Sequence, residues 1–313
     1  MTTDDRYRPS VLTAAITGGD ILPCQSDVIP AGVEGIVSEA VAAAEAGATV
    51  VHLHGRDNTG RPSAEPELLA AIAQGIRDRS DVLINFTTGG SPGMSQEERL
   101  ASLEAASPDL GTLNLGTMTY EVFPDRDRWP ETKYAWEQEV LEQSGEGVFV
   151  NTLNSLRRFA RAFRELGVAP ELEAYDTGHL NIARYLIDEG SLEPPVRLQL
   201  VIGVLGGADN SVESLMAMRD AALRILGADL ESIGVAATGY PMEFRCAAVG
   251  FALGMDVRVG LEDNLRVRRD RRASGNADLV ANAVHIADAV GRPIADRKQL
   301  APYLESWKRY ERD

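Results

Sequence analysis

Histidine is scarce in this chain, with four in 313 residues, and cysteine is scarcer still at two. Two thiols, Cys24 and Cys246, cannot build a disulfide framework. That excludes the small stapled secreted scaffolds and predicts free thiols in a reducing cytoplasm. Positive charge is also short: 31 Lys and Arg against 47 Asp and Glu leave a formal net charge of -16. Such a surface argues against nucleic acid and anionic membranes as partners, while leaving room for a local basic pocket. No run of about 18 or more apolar residues occurs, so no membrane-spanning helix is expected. The opening MTTDDRYRPS lacks the basic-then-apolar pattern of a secretory signal. Pro/Gly/Ser-rich linkers are absent, and no repeat stands out beyond an alternation of strand and helix patterns. These absences predict a cytoplasmic protein forming a single domain over residues 1–313.

What the chain has is ample core, at 44% hydrophobic and 25% charged residues. Short β-branched runs at 11–17, 49–54, 81–86, 110–115, 171–176, 197–202, 232–237 and 255–261 read as strands. Between them, stretches such as 32–47, 155–167 and 211–227 carry apolar residues at three- and four-residue spacing, the helical period. Eight strand–helix units without hairpin signals mean parallel pairing, and predict an α/β fold: a closed (β/α)8 TIM barrel. An open doubly wound sheet is the alternative. No G-x-G-x-x-G follows the first strand, which counts against a dinucleotide fold. One irregular segment, 118–148, interrupts the alternation between strands four and five and reads as a lid or an oligomer contact, with a solvated helical excursion as the bland alternative. Within it, GVFV at 147–150 suits a short extra strand.

Barrel enzymes carry their chemistry at the C-terminal ends of the strands. Half of the histidines sit at one such end, in VVHLHGRD at 50–57. Alternate strand residues face the same way, so His52 and His54 point together and are preorganised for one metal. A divalent metal then needs a third ligand, and Glu262, at the end of the eighth strand beside the first, can face both across the mouth. Two histidines satisfied by ordinary hydrogen bonds are the bland alternative. His179, opening a helix after strand five, reads as a fourth ligand or a polar contact, and His285 as structural. Arg258 faces the barrel interior and needs a partner, such as Asp263 or a substrate carboxylate. TTGG at 87–90 and GVLGG at 203–207 offer backbone N–H groups to an anion. RVRRDRR at 266–272 reads as a solvated face, or as a contact for an anionic cofactor.

Read together, LTAAITGGD, HLHGRD, GRPS, TTGG, GTLNLGT, ELEAYDTGHL, IGVLGG, RVGLEDN and NADLVANAVHIADAVGRPIA resemble the β-keto acid cleavage enzyme family over nearly the whole chain. The resemblance implies a divalent metal, usually Zn2+, and acetyl-CoA as co-substrate. It implies conversion of a β-keto acid to acetoacetate and a new acyl-CoA, in a protein that forms homo-tetramers. By position it makes His52, His54 and Glu262 the metal ligands, and Arg258, Asp263 and Glu173 the catalytic groups. Thr87, Gly90 and Thr112 would hold the substrate, and Asp20 would face its far end, toward an ammonium, quaternary ammonium or hydroxyl group. Asp263 is expected to help take a proton from the methyl group of acetyl-CoA, whose enolate adds to the keto carbon. The chain departs from the family's pattern at 118–148, which is longer than in compact members, and at Thr87, where a Ser often stands. A metal-dependent barrel hydrolase or aldolase acting without CoA, and a silent metabolite-binding barrel, are the competing expectations.

Overall fold

The computed structural model describes residues 8–91, 93–124 and 131–308. In chain order the elements are β1 (Leu12–Ala15), α1 (Gly32–Glu45), β2 (Val50–Leu53), α2 (Pro66–Arg77), β3 (Leu83–Phe86), α3 (Gln96–Ala106) and β4 (Leu110–Asn114). Then come β5 (Met118–Thr119), α4 (Ala135–Gln143), β6 (Val148–Phe149), α5 (Leu153–Leu166), β7 (Ala169–Ala174), α6 (Thr177–Asp188) and β8 (Val196–Ile202). The chain continues through α7 (Val212–Ile225), β9 (Leu230–Ala237), α8 (Met242–Ala252), β10 (Asp256–Val259), β11 (Arg266–Arg268), β12 (Arg271–Arg272), α9 (Asn276–Ala289) and α10 (Arg297–Lys308).

Eight parallel strands close a barrel in the order β1, β2, β3, β4, β7, β8, β9, β10 and back to β1. The helices cover its outside with the face that their period sets: α5 buries Leu156, Phe159, Ala160 and Phe163, while its arginines stay out. The same apolar side chains join the strands in one continuous core. No helix among the described residues is long and apolar enough to cross a membrane.

Several barrel strands are shorter at their C-terminal ends than the apolar runs predict, because the last residues of each run already belong to the mouth. The eighth run, read as 255–261, stops at Val259. At Gly260, φ is +155°, and a Cβ there would lie 2.1 Å from the Ala15 carbonyl oxygen. Only glycine lets the chain leave β10 so close to β1. The turn is fixed by two buried side chains, Glu243 accepting from the Gly260 N–H at 3.0 Å and Asn276 from the Leu261 N–H at 2.9 Å. That turn delivers Glu262 and Asp263.

The 118–148 segment builds a second small core. Its β5–β6 hairpin pairs Met118 with Phe149, which realises the extra strand expected at 147–150. Helix α4 places Trp136 and Leu141 against Leu22, Cys24 and Phe123. Glu137, fully buried, accepts from the backbone N–H groups of Cys24, Lys133 and Tyr134 at 2.7, 2.6 and 2.8 Å. This carboxylate therefore ties α4 to the loop after β1, beside the barrel mouth. Residues 125–130 of the segment lie outside the described residues.

Candidate active site

The two-residue period of β2 sends both imidazoles into the mouth. His52 Nδ1 lies 3.4 Å from Asn85 Oδ1 on β3. A proton held there leaves Nε2 as a free lone pair, the usual arrangement behind a metal-binding imidazole. Glu262 arrives from the β10 turn, with Oε2 3.6 Å from His52 Nε2 and Oε1 3.5 Å from His54 Nε2. The approach is made possible at Gly18, whose φ is +63° and where a Cβ would stand 2.6 Å from Glu262 Cγ. One donor atom from each of the three side chains falls within 4.8 Å of the others. Donors bound to one tetrahedral ion at about 2.0–2.1 Å stand about 3.3 Å apart, so this trio needs little adjustment to share a cation.

The electrostatics favour a cation too. Glu262 Oε2 is buried without a hydrogen-bond donor among the described residues. Burial drives the pKa of His52 down to about 3, so the imidazole is neutral. Burial pushes Glu262 up, yet the charge of Arg258 beside it holds it well below the usual carboxylate range. Arg258 is the hub. Its Nε and NH2 donate to Asp263 Oδ2 and Oδ1 at 2.8 and 2.9 Å. NH2 also reaches Glu262 Oε1 at 2.6 Å, and NH1 reaches Glu173 Oε1 at 3.2 Å. Burial raises Glu173 to about 7 against the pull of Arg258, and it raises Asp263 as well. Even with Glu173 protonated, Glu262 and Asp263 share one guanidinium. Uncompensated buried charge costs several kcal/mol, so the donor set fits a divalent cation on physical grounds.

The expected substrate residues divide. Thr87 and Gly90 line the same cavity as the histidines, and the Thr87 hydroxyl accepts from the Gly89 N–H at 2.8 Å. Thr112 sits on β4 one layer below Asn114, fully buried, with its hydroxyl taking the Thr88 N–H at 3.4 Å. It is not among the cavity-lining residues. Asp20 lines the cavity, and burial raises its pKa. The charge of Arg56 acts on Asp20 without a hydrogen bond between them. That guanidinium instead donates to the carbonyls of Gly18, Gly60, Thr17 and Ile21 at 3.0, 2.6, 3.2 and 2.7 Å. Asp20 takes its hydrogen bond from the Tyr120 hydroxyl. His179 is a polar contact: its Nδ1 accepts from the Tyr175 N–H at 3.1 Å, and it stands outside the His52–His54–Glu262 group.

Four wall residues carry no strong sequence signal. The Tyr175 hydroxyl lies 2.8 Å from Glu173 Oε2 and 3.0 Å from Asn114 Oδ1. Asn114 Nδ2 is buried with no acceptor among the described residues, a donor left for a ligand. Arg99 reads as a surface charge on a helix, yet its side chain is buried beside the TTGG loop. It donates to the Thr88 and Val150 carbonyls and to Asn151 Oδ1 at 2.6, 2.9 and 2.6 Å, and to no carboxylate among the described residues. Its positive charge therefore stays available to an anion at the loop. Tyr120 comes from the irregular segment, which no periodicity could place. The cavity that these residues share measures about 1100 Å³.

A closed parallel barrel with its ionisable groups gathered at the C-terminal mouth is the layout of a barrel enzyme. The chain belongs to the beta-keto acid cleavage enzyme family, whose model matches residues 9–305. It is 34% identical to the 3,5-dioxohexanoate:acetyl-CoA acetone transferase of Paraburkholderia graminis, over 95% of this chain and 96% of that one. It is 33% identical to the 3-dehydrocarnitine:acetyl-CoA trimethylamine transferase of Rhizobium meliloti, over 96% and 98% of the two chains. Among solved structures, ObcA bound to oxaloacetate shares the fold with a TM-score of 0.68 at 20% identity, covering 90% of this chain and 68% of that one.

Proposed function

We propose that the protein takes a β-keto acid and acetyl-CoA and returns acetoacetate and a new acyl-CoA. The observation that carries this reading is the meeting of the His52–His54–Glu262 donors with the Arg258–Asp263 pair in one cavity of a family member. Both relatives above carry acetyl-CoA in their names. A divalent metal held by His52, His54 and Glu262, zinc by resemblance, would polarise the keto oxygen as a Lewis acid. The reading also takes the protein as a cytoplasmic homo-oligomer, with a tetramer expected from the resemblance.

Carbon balance corrects one expectation. The acyl group of the keto acid ends on CoA, so its C2–C3 bond must break, and the acetyl carbon must bond to C2. The proton therefore leaves C2, between ketone and carboxylate, and not the methyl group of acetyl-CoA. Asp263 takes that proton, its oxygens aimed by the paired donors of Arg258. The C2 carbanion attacks the acetyl carbonyl and displaces the CoA thiolate. The thiolate adds to C3, and Arg258 stabilises the negative charge that develops on the oxygen. Cleavage of C2–C3 leaves the electron pair on C2, and the proton held by Asp263 returns there. Thr87, the Gly90 loop, Asn114 and Arg99 hold the substrate carboxylate. Omitting acetyl-CoA tests the class: acyl-CoA and acetoacetate must both vanish, whereas a CoA-independent hydrolase or aldolase would keep turning over.

Asp20 and Tyr120 face the far end of the substrate. A carboxylate there favours a substrate with an ammonium, quaternary ammonium or hydroxyl group, as the trimethylamine in one relative's name also suggests. A desolvated charge-assisted contact, a hydrogen bond for an ammonium or hydroxyl group and an ion pair for a quaternary ammonium, contributes about 1.5–3 kcal/mol. The kcat/KM for such substrates should therefore exceed that for plain alkyl β-keto acids of equal length by about ten- to a hundredfold. Asp20→Asn should lower this ratio more than it lowers activity on the alkyl acid. A wild-type preference for alkyl or anionic acids would make Asp20 structural.

A further inference from the structure

The hairpin after the catalytic turn has no part in the chemistry above. Strands β11 and β12 carry RVRRDRR at 266–272, five arginines against one aspartate in a chain whose net charge is -16. Only three residues separate Glu262 from Arg266. The hairpin is anchored. Val267 and Ala273 are buried, and the Asn264 side chain accepts from the Arg266 N–H at 2.9 Å and donates to the Arg266 carbonyl at 2.6 Å. Arg266 and Arg272 belong to the wall of the cavity that holds His52, His54 and Glu262.

Among the described residues no carboxylate forms an ion pair with Arg266 or Arg272, while Arg271 has one weak partner. Arg266 donates to the Arg269 carbonyl at 3.0 Å and Arg272 to the Gln25 carbonyl at 2.5 Å. Arg271 meets Asp278 at 3.5 Å, an acid that already accepts from Ser274. Asp27, whose pKa Arg272 helps to lower, is hydrogen-bonded to Lys133 at 2.6 Å. The cavity, at about 1100 Å³, exceeds the range of roughly 300–1,000 Å³ usual for small-molecule sites. It has room for more than a short β-keto acid.

We propose that the Arg266–Arg272 hairpin binds the phosphates of the acyl-CoA donor, the 3′-phosphoadenosine diphosphate end, while the pantetheine arm crosses the cavity to Asp263. This assignment rests on the proposed reaction and deepens it. Guanidinium groups suit phosphate because their planar donors match its oxygens in pairs. The anchoring places the phosphates at a fixed distance from the turn that carries Glu262 and Asp263.

The test compares acetyl-CoA with S-acetylpantetheine, which lacks the nucleotide, in the wild type, in Arg266→Gln/Arg272→Gln and in Arg268→Glu/Arg269→Glu. The second pair is exposed, Arg268 ending β11 and Arg269 in the turn after it, where substitution leaves the core untouched. Loss of one to two phosphate contacts should lower the kcat/KM ratio of acetyl-CoA to S-acetylpantetheine by about ten- to a hundredfold, through KM. The wild-type ratio should fall with added salt, and more steeply than the variants' ratios. An unchanged ratio in both variants overturns the assignment. So does an equal fall with both donors, which would mark a structural hairpin, or an unchanged ratio with an altered oligomeric state, which would mark a contact between copies. Calorimetry with adenosine 3′,5′-bisphosphate separates this inference from the reaction it rests on. Binding by the wild type that both variants lose supports the phosphate site even if no acyl-CoA forms. An active wild type that does not bind the bisphosphate contradicts the site alone.

Discussion

The His52→Ala/His54→Ala variant should purify folded and without the proposed divalent metal, and with kcat/KM lowered at least about a thousandfold. The loss follows from the geometry. Glu262 alone remains of the three donors, and a single carboxylate does not retain a divalent ion against bulk water. Lewis-acid polarisation contributes several kcal/mol to such a barrier, and about 1.4 kcal/mol is tenfold in rate. Circular dichroism checks the fold, and elemental analysis reads the metal directly. Full metal retention by the folded double variant would place the ion elsewhere.

Arg258→Lys should lose most turnover, about a hundred- to ten-thousandfold in kcat, while still folding. A lysine keeps the charge and loses the fork. Arg258 serves Asp263 through two nitrogens while also meeting Glu173 and Glu262. An ammonium group cannot fix the Asp263 carboxylate in one plane and reach both other acids. The proposed base is then misaimed, and misplacement by about 1 Å costs about a hundredfold in positioned chemistry. Some stability should go as well, because weakening one partner of a buried charge cluster leaves the others uncompensated. A thermal melt reads that part separately. Wild-type kcat in Arg258→Lys would leave Arg258 a structural cation.

The parts of this site that follow a period were legible in the sequence. His52 and His54 share a strand face because strand residues alternate, and β10 neighbours β1 because the barrel closes. Glu262 could therefore be set opposite the pair before any coordinates. Arg258 was legible as a buried charge in a strand that needed a partner, and Asp263 is that partner. What escaped depended on long-range contacts. Nothing near Arg99 in sequence marks it as a buried cation, since its partners Val150 and Asn151 come from the far side of the irregular segment. Asp20 was legible as a carboxylate at a strand end, but not its Tyr120 partner. Thr112 was expected to touch substrate and lies below the cavity floor, because the alternation that turns it inward also sets it one layer deeper than Asn114.

The central claim is that acetyl-CoA supplies the acetyl half of acetoacetate while the acyl half of the keto acid passes to CoA. A panel of β-keto acids, each incubated with acetyl-CoA labelled with carbon-13 at both acetyl carbons, tests it by mass spectrometry of the products. The account predicts acetoacetate labelled at C3 and C4 and an unlabelled acyl-CoA that matches the keto acid supplied. Label in the new acyl-CoA, or acetoacetate that forms without label, would contradict it.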